Sequence, residues 1–186
     1  MGEHGINLKL NTLRLGSTVL IITKTKPQYE YGAISQFLSI GLLSYKFSKN
    51  NSPFLVAPLV SFELRNKKVT KHLTPNGYYF LDIIAKYTTS TFARGEQILT
   101  HALNIMGDSG THIFISDLKN LQRQKDGNPI YEFLPTQSDI ILNKNVFGQQ
   151  CDDSYLEYSL KQYLSMLYIA YPEKVEVVIN GTNVNL

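Results

Sequence analysis

Gly2-Glu3-His4-Gly5-Ile6-Asn7-Leu8-Lys9 runs into Asn11-Thr12-Leu13-Arg14-Leu15-Gly16 and then into Val19-Leu20-Ile21-Ile22-Thr23-Lys24. A glycine-punctuated turn is followed by an amphipathic stretch with a lysine in its first turn, and then by an apolar, β-branched strand. Backbone N–H groups at a helix start have no intrahelical partner, so together with the helix dipole and Lys9 they can cradle phosphate oxygens. The plainer reading of the same residues is an ordinary glycine-rich turn. Ile6, Leu8, Leu13 and Leu15 give an uneven helical stripe with Gly16 as its C-cap. Helix next to strand makes the opening α/β in character.

Working outward, Ser17 to Lys24 reads as a buried strand, interrupted at Lys26-Pro27-Gln28, and Tyr29 to Leu43 as its return strand. Tyr45 to Asn51 is a short helix or loop. Phe54 to Phe62 is a further strand, with Pro58 suggesting an edge or bulge. Arg65, Lys67, Lys68 and Lys71 form a basic patch, either a solvated connector or a contact for DNA phosphates. Helices are expected over Tyr78–Tyr87 and Ala93–Met106, then a turn at Gly107–Gly110 and a strand from Thr111 to Ser116. Extended segments follow near Ile130–Leu134 and Asp139–Leu142, and a helix from Ser154 that Pro172 ends. Asn180-Gly181 between alternating residues predicts a hairpin with a type I′ turn, because both positions need positive φ. The strands arrive in adjacent pairs, so part of the sheet is antiparallel.

At 186 residues with 43% apolar and 18% charged side chains, the chain has enough material for one sizeable core or parts of two small domains. The net charge of +3 neither requires nor excludes a nucleic-acid patch. No apolar run has the length of a membrane span, and the first residues lack the order of a secretory signal, so no membrane partner is expected. Cys151 is alone, so it forms no internal disulfide, which favours an intracellular chain. His4, His72, His101 and His112 are scattered singly and give no zinc spacing, so no metal ligand is assigned. The last three read as structural or surface residues. The tyrosines Tyr155, Tyr158, Tyr163, Tyr168 and Tyr171 read as core and interface, and Asp152-Asp153 as a helix cap region.

The opening motif, with Arg14-Leu15-Gly16 and the strand ending in Thr23-Lys24 at fixed spacing, resembles the MORC family of chromatin-associated ATPases, members of the GHKL class. Three later stretches agree with that family in order and spacing. Ser39-Ile40-Gly41-Leu42-Leu43-Ser44 is similar to its Val-Gly-Leu-Leu-Ser strand. Gly110 to Leu118 is similar to its Gly-Thr-x-Ile-x-Ile-x-Asn-Leu strand. Glu157-Tyr158-Ser159-Leu160-Lys161-Gln162-Tyr163 is similar to its Tyr-Ser-Leu-Arg-Ala-Tyr helix.

The resemblance implies a two-layer α+β sandwich: a partial GHKL (Bergerat) ATPase fold with a mixed sheet and helices on one face. Residues 1–145 would be the C-terminal part of the ATPase domain. Residues 146–186 would open a transducer domain like ribosomal protein S5. It also implies ATP and Mg2+ as cofactors of the complete protein, a homodimer that ATP closes, chromatin or DNA as partner, and a nuclear location. Carried over by position, Gly2, His4, Gly5, Ile6, Asn7, Leu8 and Lys9 line the phosphates, with Gly2, Gly5 and Lys9 as direct contacts. Thr111 becomes the adenine-side contact.

The sequence departs from the family at three lid positions. Asn7 stands at the third lid glycine, His4 at an aromatic, and Leu10 at a small hydroxyl residue. Asn tolerates positive φ, but its side chain crowds the approach to phosphate. The family's catalytic glutamate, its magnesium-holding asparagine and its Asp-x-Gly-x-Gly motif lie before the lid, and no residue here corresponds to them. No catalytic residue is therefore assigned, and the chain alone is not expected to hydrolyse ATP. Two functions follow. One is a fragment of an ATP-binding, ATP-dependently dimerising chromatin protein; the other is a non-catalytic scaffold or protein-interaction module built on the same fold.

Overall fold

β1 (Gly16–Lys24) is the strand on which the sheet is built, because it is apolar on both faces: Leu20 and Ile22 point one way and Val19 the other, all fully buried. A computed structural model describes residues 16–30, 32–51, 57–88, 92–104, 107–118, 120–123, 129–131, 133–135, 139–142, 159–167 and 176–184. The chain divides into two compact units, 1–119 and 120–186.

In the first unit, β1 is followed by β2 (Gln28–Glu30), β3 (Ala33–Ser44), α1 (Tyr45–Asn51), β4 (Leu59–Arg65), β5 (Lys68–His72), α2 (Gly77–Tyr87), α3 (Gly95–Asn104) and β6 (Gly110–Leu118). The sheet has six strands in the order β5-β4-β3-β1-β6, with β2 folded onto the start of β3. Each described pairing is antiparallel. This is the α/β arrangement the element pattern implied.

Pleating sends alternate residues to opposite faces. On one face Leu20, Ile22, Leu38, Ile40, Leu42, Val60, Phe62 and Leu64 form a continuous apolar surface. The helices supply its cover. Leu81, Ile84 and Ala85 of α2 and Ile98, Leu99 and Ala102 of α3 recur at helical spacing and pack into the same cluster. Gly95 allows these two helices to touch, since a Cβ there would lie 2.7 Å from the Leu81 backbone carbon. Its N–H donates to Asp82 Oδ1 at 3.2 Å.

Several boundaries differ from the sequence reading for local reasons. Gly16 is the first residue of β1, paired with Leu118, rather than a helix cap. The return strand is broken at Gly32, whose φ of 78° turns β2 back onto β3. Of the strand placed at Phe54–Phe62, residues 54–56 lie outside the described residues, and β4 begins at Leu59, after Pro58. Its continuation through the basic patch is a hairpin: Asn66 and Lys67 take φ of 50° and 63° and carry β4 into β5. Two of the patch's cations are paired, Arg65 Nε with Glu63 at 2.8 Å and Lys67 Nζ with Asp108 at 3.3 Å. Lys68 and Lys71 stand exposed on the outer strand, where charge discourages another strand from adding to the edge.

The second unit holds β7 (Asn120–Arg123), β8 (Pro129–Tyr131), β9 (Phe133–Pro135), β10 (Ile140–Leu142), α4 (Leu160–Leu167), β11 (Val178–Ile179) and β12 (Thr182–Asn183). These strands pair as β7 with β8, β9 with β10, and β11 with β12. The Asn180-Gly181 turn has φ of 49° and 78°, as the type I′ geometry requires. α4 starts at Leu160 because Ser159 forms a bridge with Ile141 and caps the helix, its Oγ accepting the Gln162 N–H at 3.0 Å.

Asp139 organises this unit. Its carboxylate accepts hydrogen bonds from Ser159 Oγ at 2.5 Å, Lys161 N at 2.9 Å and Ile140 N at 2.7 Å. Its carbonyl accepts Asn180 Nδ2 at 3.0 Å, which brings in the hairpin turn. Burial pushes the carboxyl pKa up, but the hydrogen bonds from Ser159, Lys161 and Ile140 and the Lys161 charge outweigh it and hold it below the usual value. With the folded pKa depressed, this contribution is complete above the unfolded carboxyl pKa and is lost as pH falls through the folded one. Asp139→Ala is expected to destabilise the second unit by about 2 kcal/mol at neutral pH. In urea melts followed by circular dichroism, the difference from wild type should shrink near pH 3.

Candidate functional site

The sheet face turned away from α2 and α3 carries the one predicted site residue that falls among the described residues. Thr111 is exposed on β6 and lies directly opposite Thr23 of β1, with their hydroxyl oxygens 3.3 Å apart. Register extends this pair into a row. Thr23 faces Ser39 of β3, and Ser39 faces Ser61 of β4, with Oγ atoms 3.0 Å apart. Directly opposed residues in antiparallel strands share a face. Ser61, Ser39, Thr23 and Thr111 are therefore four hydroxyls in line across four strands.

The next row along the same face is Leu59, Gly41, Ile21 and Ile113. Gly41 has no side chain, and Leu59 and Ile113 are 58% and 45% exposed, so this row is a shallow apolar floor beside the hydroxyls. A flat heteroaromatic ring with polar edge atoms suits such a surface: apolar contact below, and donors and acceptors along one side. The sequence singled out Thr111 alone; Thr23, Ser39 and Ser61 join it through strand register, which no local pattern displays.

Both ends of the β1–β6 pair are tied down. At the Thr111 end, Gly110 precedes the threonine with φ of 155°, a conformation that side chains other than hydrogen rarely adopt. Buried Gln36 donates to the carbonyls of Asp108, at 2.6 Å, and Thr25, at 3.1 Å, joining the turn before β6 to the end of β1. Lys24 is buried at the same end. Desolvation, then the Lys67 charge, lower its pKa, and Asp108 opposes them.

At the opposite end Asp117 has φ of 52°, where Asp and Asn are tolerated better than most residues. Its Oδ2 accepts Lys46 Nζ at 3.1 Å and the hydroxyls of Thr18 and Ser17 at 3.3 and 3.4 Å. The Asp-Leu that ends β6 thus fastens it to β1 and α1.

Gly2, His4, Gly5, Ile6, Asn7, Leu8 and Lys9 lie outside the described residues. Among the described residues no cluster of three metal-ligating side chains occurs, and no helix is long and apolar enough to cross a membrane.

No protein-family model matches the chain. Among curated proteins it is similar over 99% of its length to Protein MICRORCHIDIA 7 of Arabidopsis thaliana, at 29% identity over 199 residues, which is 27% of that protein. Protein MICRORCHIDIA 4 of the same plant is 28% identical over 99% of the chain and 24% of its own length. A mouse protein, MORC family CW-type zinc finger protein 3, is 24% identical over 99% of the chain and 19% of its own length. The chain spans about a quarter of the length of the plant relatives.

Proposed function

We propose, on the premise that this chain is a relative of the MORC proteins over nearly its whole length, that it carries the nucleotide-facing part of an ATP-binding module. The observation that supports this most is the β1–β6 pairing. It sets the strand that follows the lid-like segment directly beside the Gly-Thr strand, with Thr111 exposed on the face opposite α2 and α3. The hydroxyl row and the apolar floor next to it suit a purine: the floor takes the ring and Thr111 orients its polar edge.

Gly2, Gly5 and Lys9 would take the triphosphate through backbone N–H groups and the ammonium charge. Magnesium would neutralise the phosphates when bound, and its ligand is not assigned to this chain. In the complete protein we propose an ATP-linked homodimer acting on chromatin in the nucleus. ATP shifts such an equilibrium only through contacts that exist in the closed state alone.

Calorimetric titration of the chain with a non-hydrolysable ATP analogue is expected to give saturable heat. Thr111→Val, which keeps the shape and removes the hydroxyl, should weaken binding about fivefold to tenfold, the worth of one hydrogen bond. Asn7 and Leu10 favour the scaffold reading, which requires no heat at any concentration and no difference between wild type and Thr111→Val.

A further inference from the structure

His101 on α3 and His112 on β6 face one another, with Nε2 of the first 3.4 Å from Nδ1 of the second. Phe92 and Phe114 wall the pair, their ring centroids 5.5 and 5.2 Å from the His101 imidazole. Both imidazoles are half-buried on the helix-covered side of the sheet. His112 and Thr111 are neighbours on one strand, so their side chains leave it on opposite faces.

We infer that this imidazole pair is a proton-operated latch between α3 and the edge strand β6, closed while it holds at most one extra proton and opened by a second. The argument is one of donors and acceptors. Two neutral imidazoles share a hydrogen bond when one presents N–H and the other a lone pair. Adding one proton keeps an N–H facing a lone pair. Adding the second leaves two cations facing each other with no acceptor between them, and only the solvent side of the half-buried pair can hydrate them.

The surroundings contain few charges to offset this. From α3 and the residues leading into it, Arg94 and Glu96 border the same open cleft as His101, with Gln97, Thr100 and Asn104. They are opposite in sign. β6 contributes His112 itself and Phe114; β1 contributes Ile22, the register partner of His112, and buried Lys24 two residues further along the same face, a cation that does not offset a charged pair. The cleft gives protons a route from solvent. Burial, then the field of His112, push the His101 pKa below its ordinary 6.5. The latch is therefore fully closed above about pH 6.5 and weakens as pH falls toward the depressed folded-state value.

The whole chain can be tested without a variant by following the imidazole protons of His101 and His112 in a pH titration by NMR. The latch requires two steps separated by at least about one pH unit, the mark of coupled sites. Two independent titrations near 6.5 would overturn it. Equilibrium unfolding gives a second reading: between pH 7 and pH 5 the wild-type folding constant should fall several-fold more than that of His101→Gln. Equal pH dependence of the two proteins would also refute it. Amide exchange should quicken in α3 and β6 ahead of β3 and β4; uniform quickening counts against a latch at this position.

Discussion

Replacing Gly16 by alanine is expected to open the seam between β1 and β6 and to lower stability by about 3 kcal/mol, the upper end of the range for overpacking a close contact. A Cβ at residue 16 would stand 2.5 Å from the Ser116 carbonyl oxygen and 2.7 Å from Ile115 Cγ2. The isoleucine methyl can turn away. The carbonyl cannot, because it belongs to the strand that Gly16 pairs with, so β6 must move outward or β1 must start later. Ser17 and Thr18 would then lose Asp117, and Lys46 its tie to β1 through that carboxylate. Urea melts followed by circular dichroism would register the loss. Amide exchange should place it first at the Leu118 end of the seam and then along it toward Thr111. A Gly16→Ala protein within about 0.5 kcal/mol of wild type would mean that this register is wrong. If nucleotide binds on the face bearing Thr111, its affinity should fall together with stability.

Gly16 also shows what the sequence can and cannot express. It stands at the end of an uneven apolar stripe, where a glycine ordinarily closes a helix, and the C-cap reading followed from that position. Its physical reason is an approach to a strand 100 residues away in sequence, the separation that the Ser17–Asp117 contact measures. Local pattern carries no term for such a partner. The same limit hid most of the candidate site. Thr111 was legible because it follows a glycine in a recognisable strand. Thr23, Ser39 and Ser61 become its neighbours only when β1, β3 and β4 adopt one particular register. His101 and His112 were set aside because neither had a second histidine at ligand spacing along the chain, whereas the turn at 107–110 folds helix onto strand and brings them together.

Where the chemistry was local, the sequence was sufficient. Asn180-Gly181 demanded positive φ twice, and the turn has it. The helix expected over Ala93–Met106 is found as α3 (Gly95–Asn104), which buries Ile98, Leu99 and Ala102. The β4–β5 hairpin was missed because its turn is Asn66-Lys67: a lysine takes the positive-φ position where glycine would have announced the turn. Its charged residues suggested solvent, and they do face it, from a strand.

The largest effect is expected at Phe62, which is fully buried and larger than any other fully buried side chain described. Its ring sits where three elements meet. It packs edge-on against His72 of β5 with centroids 5.2 Å apart, lies 6.3 Å from Tyr78 of α2, and fills the space over Gly77, whose Cβ would come within 3.2 Å of it. Phe62→Ala removes that volume from a sheet-and-helix layer that cannot collapse around it, because β4 is fixed on both sides by strand pairing. The loss should be about 3–5 kcal/mol. Total stability of a domain this size is about 5–15 kcal/mol, so the variant should lose a large share of it and melt well below wild type. Phe62→Leu, which keeps most of the volume, should retain a cooperative melt. The exposed partner Tyr78 provides the contrast: Tyr78→Ala removes a ring contact but opens no cavity, and should lower stability by less than about 1 kcal/mol. If Phe62→Ala and Tyr78→Ala lost the same amount, the ring at 62 would be a surface contact, and the core would have to be centred elsewhere on the sheet.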